Sequence, residues 1–194
     1  MWNMRRLLVW LGRMRHSRGF GVQSPWAYRM VRYVINEHWP YYAYGELTAA
    51  HPSLDKRTRR LCELVFRLTN SVQPRRVVAF GPVGAAYGSY VRAGCRRAEY
   101  LPIPSGGCLD GMSGADMAVM SPCGDIASAF TRFSRDAGDG SVAMLIDIRR
   151  DKSVRRLWRE VAAGMPGVVT FDLYYCGLVF FDKKRYKQNY IINF

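Results

Sequence analysis

The chain is short of acids, histidines and long apolar runs. It carries 15 Asp and Glu against 29 Lys and Arg, and only 3 His. Its five cysteines, Cys62, Cys95, Cys108, Cys123 and Cys176, lie at no metal-ligand spacing, so no zinc-finger or ribbon pattern is present. An odd, scattered set of thiols is not a secreted disulfide framework either; reduced thiols in a cytoplasmic setting are expected. Near the start, the unbroken apolar run LLVWL (Leu7 to Leu11) is too short for a signal-peptide core or a bilayer span, so export and membrane insertion are not expected. Repeats and low-complexity segments are absent, as is a full G-x-G-x-x-G fingerprint.

What is present is a globular composition. An apolar fraction of 49% with 13% aromatic residues excludes a disordered chain, and 194 residues suit one domain with a substantial core. The formal net charge is +14, but the basic excess is spread along the chain, which points only weakly to a polyanionic partner.

From the N-terminus, Trp2 to His16 has the pattern of a basic amphipathic helix with Met4, Leu7, Leu8, Leu11 and Met14 on one side. Such a helix packs onto its own domain or lies on an anionic lipid surface. Ser24 followed by Pro25 reads as an N-cap and first helical residue, opening a helix to about Asn36 with Trp26, Met30, Tyr33 and Val34 as its buried face. HWPYYAY (His38 to Tyr44) crowds five aromatic or imidazole rings into seven positions, as packing for an N-terminal extension or as a lid over a flat ligand. Ser53 to Asn70 then places Leu54, Leu61, Leu64, Val65 and Leu68 on one helical stripe, with Arg and Lys on a solvated face opposite.

The remainder alternates strands and helices. VVAF (Val77 to Phe80) reads as a buried strand and runs into GPVGAAYGSYVRAG (Gly81 to Gly94), a glycine turn that becomes a helix. Strand, glycine turn and helix N-terminus is how a nucleotide-like cofactor is cradled, because glycines allow close approach and the free amides face the ligand. A simple tight turn has the same signature. EYLPI (Glu99 to Ile103) and DMAVM (Asp116 to Met120) read as the next strands, separated by a Gly-rich loop, Pro104 to Gly114, where a complete fold of this kind has another helix and strand. VAMLID (Val142 to Asp147) is a strand ending in a carboxylate, Lys152 to Gly164 a helix, and VVTFDL (Val168 to Leu173) with GLVFF (Gly177 to Phe181) a hairpin. The expected architecture is α/β: a mostly parallel, doubly wound sheet ending in an antiparallel hairpin, with residues 1–52 as a helical and aromatic cap on an α/β domain of residues 53–194. Ligands bind such sheets at the carboxyl ends of the strands.

These segments resemble the class I S-adenosylmethionine-dependent methyltransferases, and within them a methyltransferase-like group of Bacteroidetes-type bacteria. GFGVQSPWAY (Gly19 to Tyr28) is similar to that group's H-G-x-H-S-P-F signature, and TFDLYYCGLVFF with KQNYIINF to its C-terminal pattern. Asp116 to Phe133 and Leu145 to Trp158 are similar to its fourth- and fifth-strand segments. The resemblance implies a Rossmann-like fold and S-adenosylmethionine held by Phe80, Gly81, Pro82, Val83, Gly84 and Tyr87 after the first strand and by Ser121 and Pro122 after a later one. Asp147 is then the candidate base or, equally, a cap for the helix that follows, with His38 and His51 as alternative bases and no metal expected. Three positions depart from the family pattern: Ala79 stands where it has a carboxylate, Leu101 to Pro104 offer no ribose-binding acid, and Ser121 to Gly124 replace D-G-N-H.

Three readings stay open. The first is methyl transfer to an oxygen or nitrogen of an unidentified small molecule. A second keeps the fold as a non-catalytic binding or regulatory module. In the third, a nucleic-acid binder uses Arg5, Arg6, Arg59, Arg60, Arg75, Arg76, Arg96, Arg97, Arg155 and Arg156, with the tyrosine cluster as a stacking surface.

Overall fold

The computed structural model describes residues 12–13, 22–182 and 184–194. The amphipathic pattern from Trp2 to His16 therefore lies outside the described residues except at Gly12 and Arg13, as do Gly19 to Gly21 of the N-terminal motif.

Seven strands form one sheet in the order β2-β1-β3-β4-β6-β5-β7: β1 Arg76–Phe80, β2 Glu99–Ile103, β3 Met117–Met120, β4 Val142–Ile146, β5 Val168–Asp172, β6 Cys176–Phe181 and β7 Gln188–Ile191. Strands β1 to β4 pair in parallel, and β6 inserts antiparallel between β4 and β5. The middle strands β1, β3 and β4 are short apolar runs because helices cover both faces. Alternation sorts their side chains: Val77, Met117, Val119, Val142 and Met144 enter one core, and Val78, Phe80, Met120, Ala143 and Leu145 the other.

The first core is roofed by α1 (Pro25–Met30), α2 (Ala43–Ala50), α3 (Lys56–Val72) and α4 (Ala86–Gly94). The second is roofed by α5 (Ile126–Asp136) and α6 (Lys152–Gly164). The helix starts are chemically specified. Ser24 Oγ accepts from the Ala27 amide at 3.4 Å, Asp55 accepts from the Arg57 and Thr58 amides at 2.9 and 3.2 Å, and Asp151 accepts from Ser153 and Val154 at 2.9 and 3.0 Å. Helices α3 and α4 touch so closely that a Cβ on Gly94 would lie on Thr69 Oγ1 and 2.5 Å from the Phe66 carbonyl oxygen.

The sheet, the hairpin and the shortened middle follow the sequence pattern; between β2 and β3 the chain makes only a 3₁₀ turn, Leu109–Met112. Two expectations need correction, and two elements were not expected. The first helix continues from Met30 as a π-helix, Val31–Ile35, whose wider turn (Asn36 N to Val31 O, 2.9 Å) rotates Val31 and Ile35 inward and leaves Tyr33 exposed. The basic face of α3 is not wholly solvated. Arg67 is buried and donates to the carbonyls of Val34 at 2.6 Å and Ile35 at 3.2 Å, closing the end of that π-helix. Helix α2, which the sequence pattern did not foretell, carries the end of the aromatic cluster. Strand β7, also unforeseen, adds to β5 in parallel, where Thr170 Oγ1 donates to Asn189 Oδ1 at 2.7 Å.

The cluster from His38 to Tyr44 divides. Tyr41 and Tyr44 pack on Phe66 with ring centroids 5.0 and 5.3 Å away, whereas Trp39 and Tyr42 are 80% and 86% exposed. Among the described residues no helix is long and apolar enough to cross a membrane.

Candidate functional site

The chain leaves β1 to build β2 on one side and then β3 and β4 on the other, so the switch point of the sheet lies between β1 and β3. That is where an open α/β sheet parts its loops into a crevice. Register places Phe80 beside Met120, and Met120 beside Leu145, so the residues that follow these strands, Gly81, Ser121 and Asp147, come out at one edge of the sheet.

Gly81 makes the turn out of β1 with φ of 80°, a left-handed conformation that side chains resist. Its amide donates to Ile103 O at 2.9 Å, Val83 N returns to Gly81 O at 2.7 Å, and α4 starts five residues later. Pro82 and Gly84 are exposed, Val83 is half-buried, and Tyr87 closes the inner wall with its hydroxyl pushed above the usual range by burial. Phe80 is placed differently: its ring is fully buried in the second core and only its carbonyl reaches this edge, accepting from Ser121 N at 3.0 Å. Gly88 lies inside α4, where a Cβ would come within 2.8 Å of the Tyr100 ring.

The loop after β3 leans over the glycine turn. A Cβ on Gly81 would lie 3.1 Å from both Cys123 Sγ and Ser121 O. Asp125, at the start of α5, then reaches to the loop after β2. Its Oδ1 accepts from Ser105 Oγ at 3.1 Å and its Oδ2 from the Gly106 amide at 2.9 Å. Because β2 and β3 flank β1, these two bonds form a clasp across the end of β1. The Gly106 amide is the main influence holding the Asp125 carboxyl below its ordinary range, and burial, with Asp125 beside it, raises the Cys123 thiol to about 11. Nothing in the local sequence announces the clasp, since its partners are about twenty residues apart. No carboxylate stands at the end of β2 itself.

On the other side of the crevice, Asp147 has a left-handed backbone, φ 65°, stabilised by its amide donating to Tyr175 O at 2.7 Å and its carbonyl accepting from Arg150 N at 2.9 Å. Its carboxylate forms an ion pair with Arg57 at the start of α3, and the Arg57 guanidinium stacks 5.1 Å from the centroid of Tyr175. The Nε of Arg57 and the Nε2 of His51 are buried without a partner among the described residues. His38 sits instead on an exposed turn, its amide bonded to Glu37 Oε1 at 2.8 Å. A second ion cluster stands at the end of β5, where buried Asp172 accepts from Arg13 at 2.8 Å and pairs with Arg149. The sequence pattern singled out neither Arg57 nor Asp172; an arginine two residues past an N-cap was the only local signal for the former. Thus Gly81, Ser121, Tyr87 and Asp147 share one edge, while Phe80 serves the core.

No family model and no curated protein matches the chain. Solved structures do. An O-methyltransferase from Streptomyces achromogenes involved in tomaymycin synthesis, in complex with SAM, superposes with a TM-score of 0.51 at 14% identity, over 74% of this chain and 91% of that one. A Podospora anserina methyltransferase bound to SAH gives 0.51 at 11% identity over 82% and 97%, and an O-methyltransferase from Bacillus cereus in complex with SAH gives 0.51 at 14% over 76% and 94%. At these identities the likeness establishes the fold: a Rossmann-like methyltransferase sheet, mostly parallel and ending in an antiparallel hairpin.

Proposed function

We propose that the crevice at the ends of β1, β3 and β4 is an S-adenosylmethionine site, and that the protein is a methyltransferase-type protein acting on an oxygen or nitrogen of a small molecule. The observation that carries this reading is the left-handed Gly81 turn feeding the N-terminus of α4 at the switch point of the sheet. The glycine turn and the arginine across the crevice suit the amino-acid half of the ligand. Gly81 to Gly84 present backbone, Tyr87 a wall, and Arg57 on the opposite side a guanidinium for a carboxylate, its buried Nε still without a partner among the described residues. The nucleoside half has no acid at the end of β2 and meets the Asp125 clasp, which must release to admit it. When bound, the sulfonium supplies an activated methyl group. The chain's own part is positioning. Asp147 holds Arg57 against Tyr175 and takes a proton from an acceptor only once that pair separates. Within residues 1–52 the described ones act as the cap, and the five free thiols fit a cytoplasmic setting.

A second reading, a binding module without turnover, draws on the same clasp and the missing ribose acid. Isothermal titration with S-adenosylmethionine and S-adenosylhomocysteine separates the two. Micromolar binding that Gly81→Val abolishes, at an unchanged circular dichroism spectrum, supports the cofactor site. Absence of heat with either ligand, in the wild type and in Asp125→Ala, leaves the module.

A further inference from the structure

Among the exposed rings, Trp39 and Tyr42 are used neither by the fold nor by the crevice. Tyr42 borders a cavity of about 430 Å³ between the start of α2 and the C-terminal ends of α3 and α4, floored by Phe66 and edged by Asn70, Gln73, Arg96 and Arg97. We propose that this groove binds single-stranded nucleic acid, with Tyr42 as a stacking platform for a base and Arg96 and Arg97 as phosphate contacts. The platform is held firmly. Its neighbours Tyr41 and Tyr44 are pinned on Phe66, so the backbone that carries Tyr42 is anchored while its ring stays 86% exposed. Arg97 is held at the groove by donating to Gln73 O at 3.2 Å, and Gln73 is itself fixed by a left-handed backbone and a bond from its side-chain amide to Asn70 O at 2.9 Å. Arg96 beside it is exposed.

Charge selects the partner. No carboxylate lines this groove among the described residues, and a net charge of +14 draws polyanions to the whole surface. By contrast, the cavity below Trp39 mixes Glu37 and Glu63 with Arg60 and Arg67, so phosphate contact belongs to the Tyr42 end. A flat exposed ring on a groove also lined by amide side chains and two arginines matches a base on its phosphodiester, because each base offers a π-face whatever its sequence.

The test is fluorescence anisotropy with a labelled oligothymidylate at low and at physiological salt. Wild-type protein binds, with log affinity falling linearly against log salt. Removing one stacking platform weakens binding by roughly 5- to 150-fold, so Tyr42→Ala loses about that factor with the salt slope unchanged. Arg96→Ala with Arg97→Ala lowers the slope by about 1.4, from about 0.7 per phosphate on a single strand. A control pair on α6, Arg156→Ala with Arg159→Ala, leaves affinity within a factor of about two. The proposal is overturned if the oligonucleotide does not bind at low salt, if the α6 pair costs as much as the groove pair, or if Tyr42→Ala changes nothing. Binding to anionic phospholipid vesicles but not to the oligonucleotide also overturns it.

Discussion

Replacing Asp125 with alanine should make a cofactor bind more tightly. The carboxylate makes two bonds across the end of β1, to Ser105 Oγ at 3.1 Å and to the Gly106 amide at 2.9 Å. Each contributes a net ~0.5–1.5 kcal/mol, and both are solvent-accessible, so closing the clasp contributes about 1–2 kcal/mol. If a ligand binds only the open form, its apparent dissociation constant is raised by the reciprocal of the open fraction. At about 1.4 kcal/mol per tenfold, Asp125→Ala tightens S-adenosylhomocysteine roughly 5- to 30-fold. The same change lowers the melting temperature by about 2–8 °C in the absence of ligand, since a kcal/mol is worth about 2–4 °C in a chain of this size. The pH dependence has a definite sign. The Gly106 amide depresses the Asp125 carboxyl, so the clasp is complete above the ordinary carboxylate range and is lost as pH falls through the depressed value. The gain in the variant is therefore constant from neutral pH to above the carboxylate range, and vanishes in strong acid. Titration calorimetry across pH provides the assay. Equal affinity in variant and wild type refutes the clasp, and weaker binding in the variant means that Asp125 faces the ligand instead. If neither protein binds, the cofactor site itself is refuted.

Gly94→Ala forces a methyl group onto Thr69 and Phe66 at the α3 and α4 contact and should cost about 1–3 kcal/mol, read as a lower urea midpoint at constant slope. Asp172→Asn strips the counter-charge from Arg13 and Arg149. Breaking a buried pair costs ~3–5 kcal/mol, and half-exposed Arg149 places the loss at about 3, measured by the same titration; a change below about 1 kcal/mol contradicts the assigned role. Asp55→Ala removes the cap of α3 and costs about 1 kcal/mol at neutral pH. Thr58 above all, then the helix amides, hold the Asp55 carboxyl low, so this loss is full above the ordinary carboxylate range and disappears as pH drops through the depressed value; thermal melts at neutral and acid pH check it.

Elements with strong periodicity were legible along the chain. The helix Lys152–Gly164, the apolar strands β1, β3 and β4, and the hairpin from Val168 to Phe181 follow from local pattern, because burial on one face or two imposes a repeat. Weakly patterned elements were not. Helix α2 holds Gly45 among small residues, and β7 is an edge strand whose four residues are mostly exposed. Tyr33 was misplaced because a π turn breaks the 3.6-residue spacing that assigned it to the buried face. The glycine turn was visible as Gly81 followed by a helix, but not that Cys123 and Ser121 lie over it.

By itself, then, the sequence determined the α/β sheet, its glycine turn, its shortened middle and the exclusion of a zinc-finger cysteine pattern, all properties of neighbours along the chain. Tertiary structure alone decided what surrounds the crevice. Asp125 meets Ser105 and Gly106 only because strands β2 and β3 flank β1, and Arg57 meets Asp147 only because α3 starts where β4 ends. Such pairs join residues 19 to 90 positions apart. No periodicity encodes them, because the order of the strands, rather than the spacing of the residues, brings the charges together.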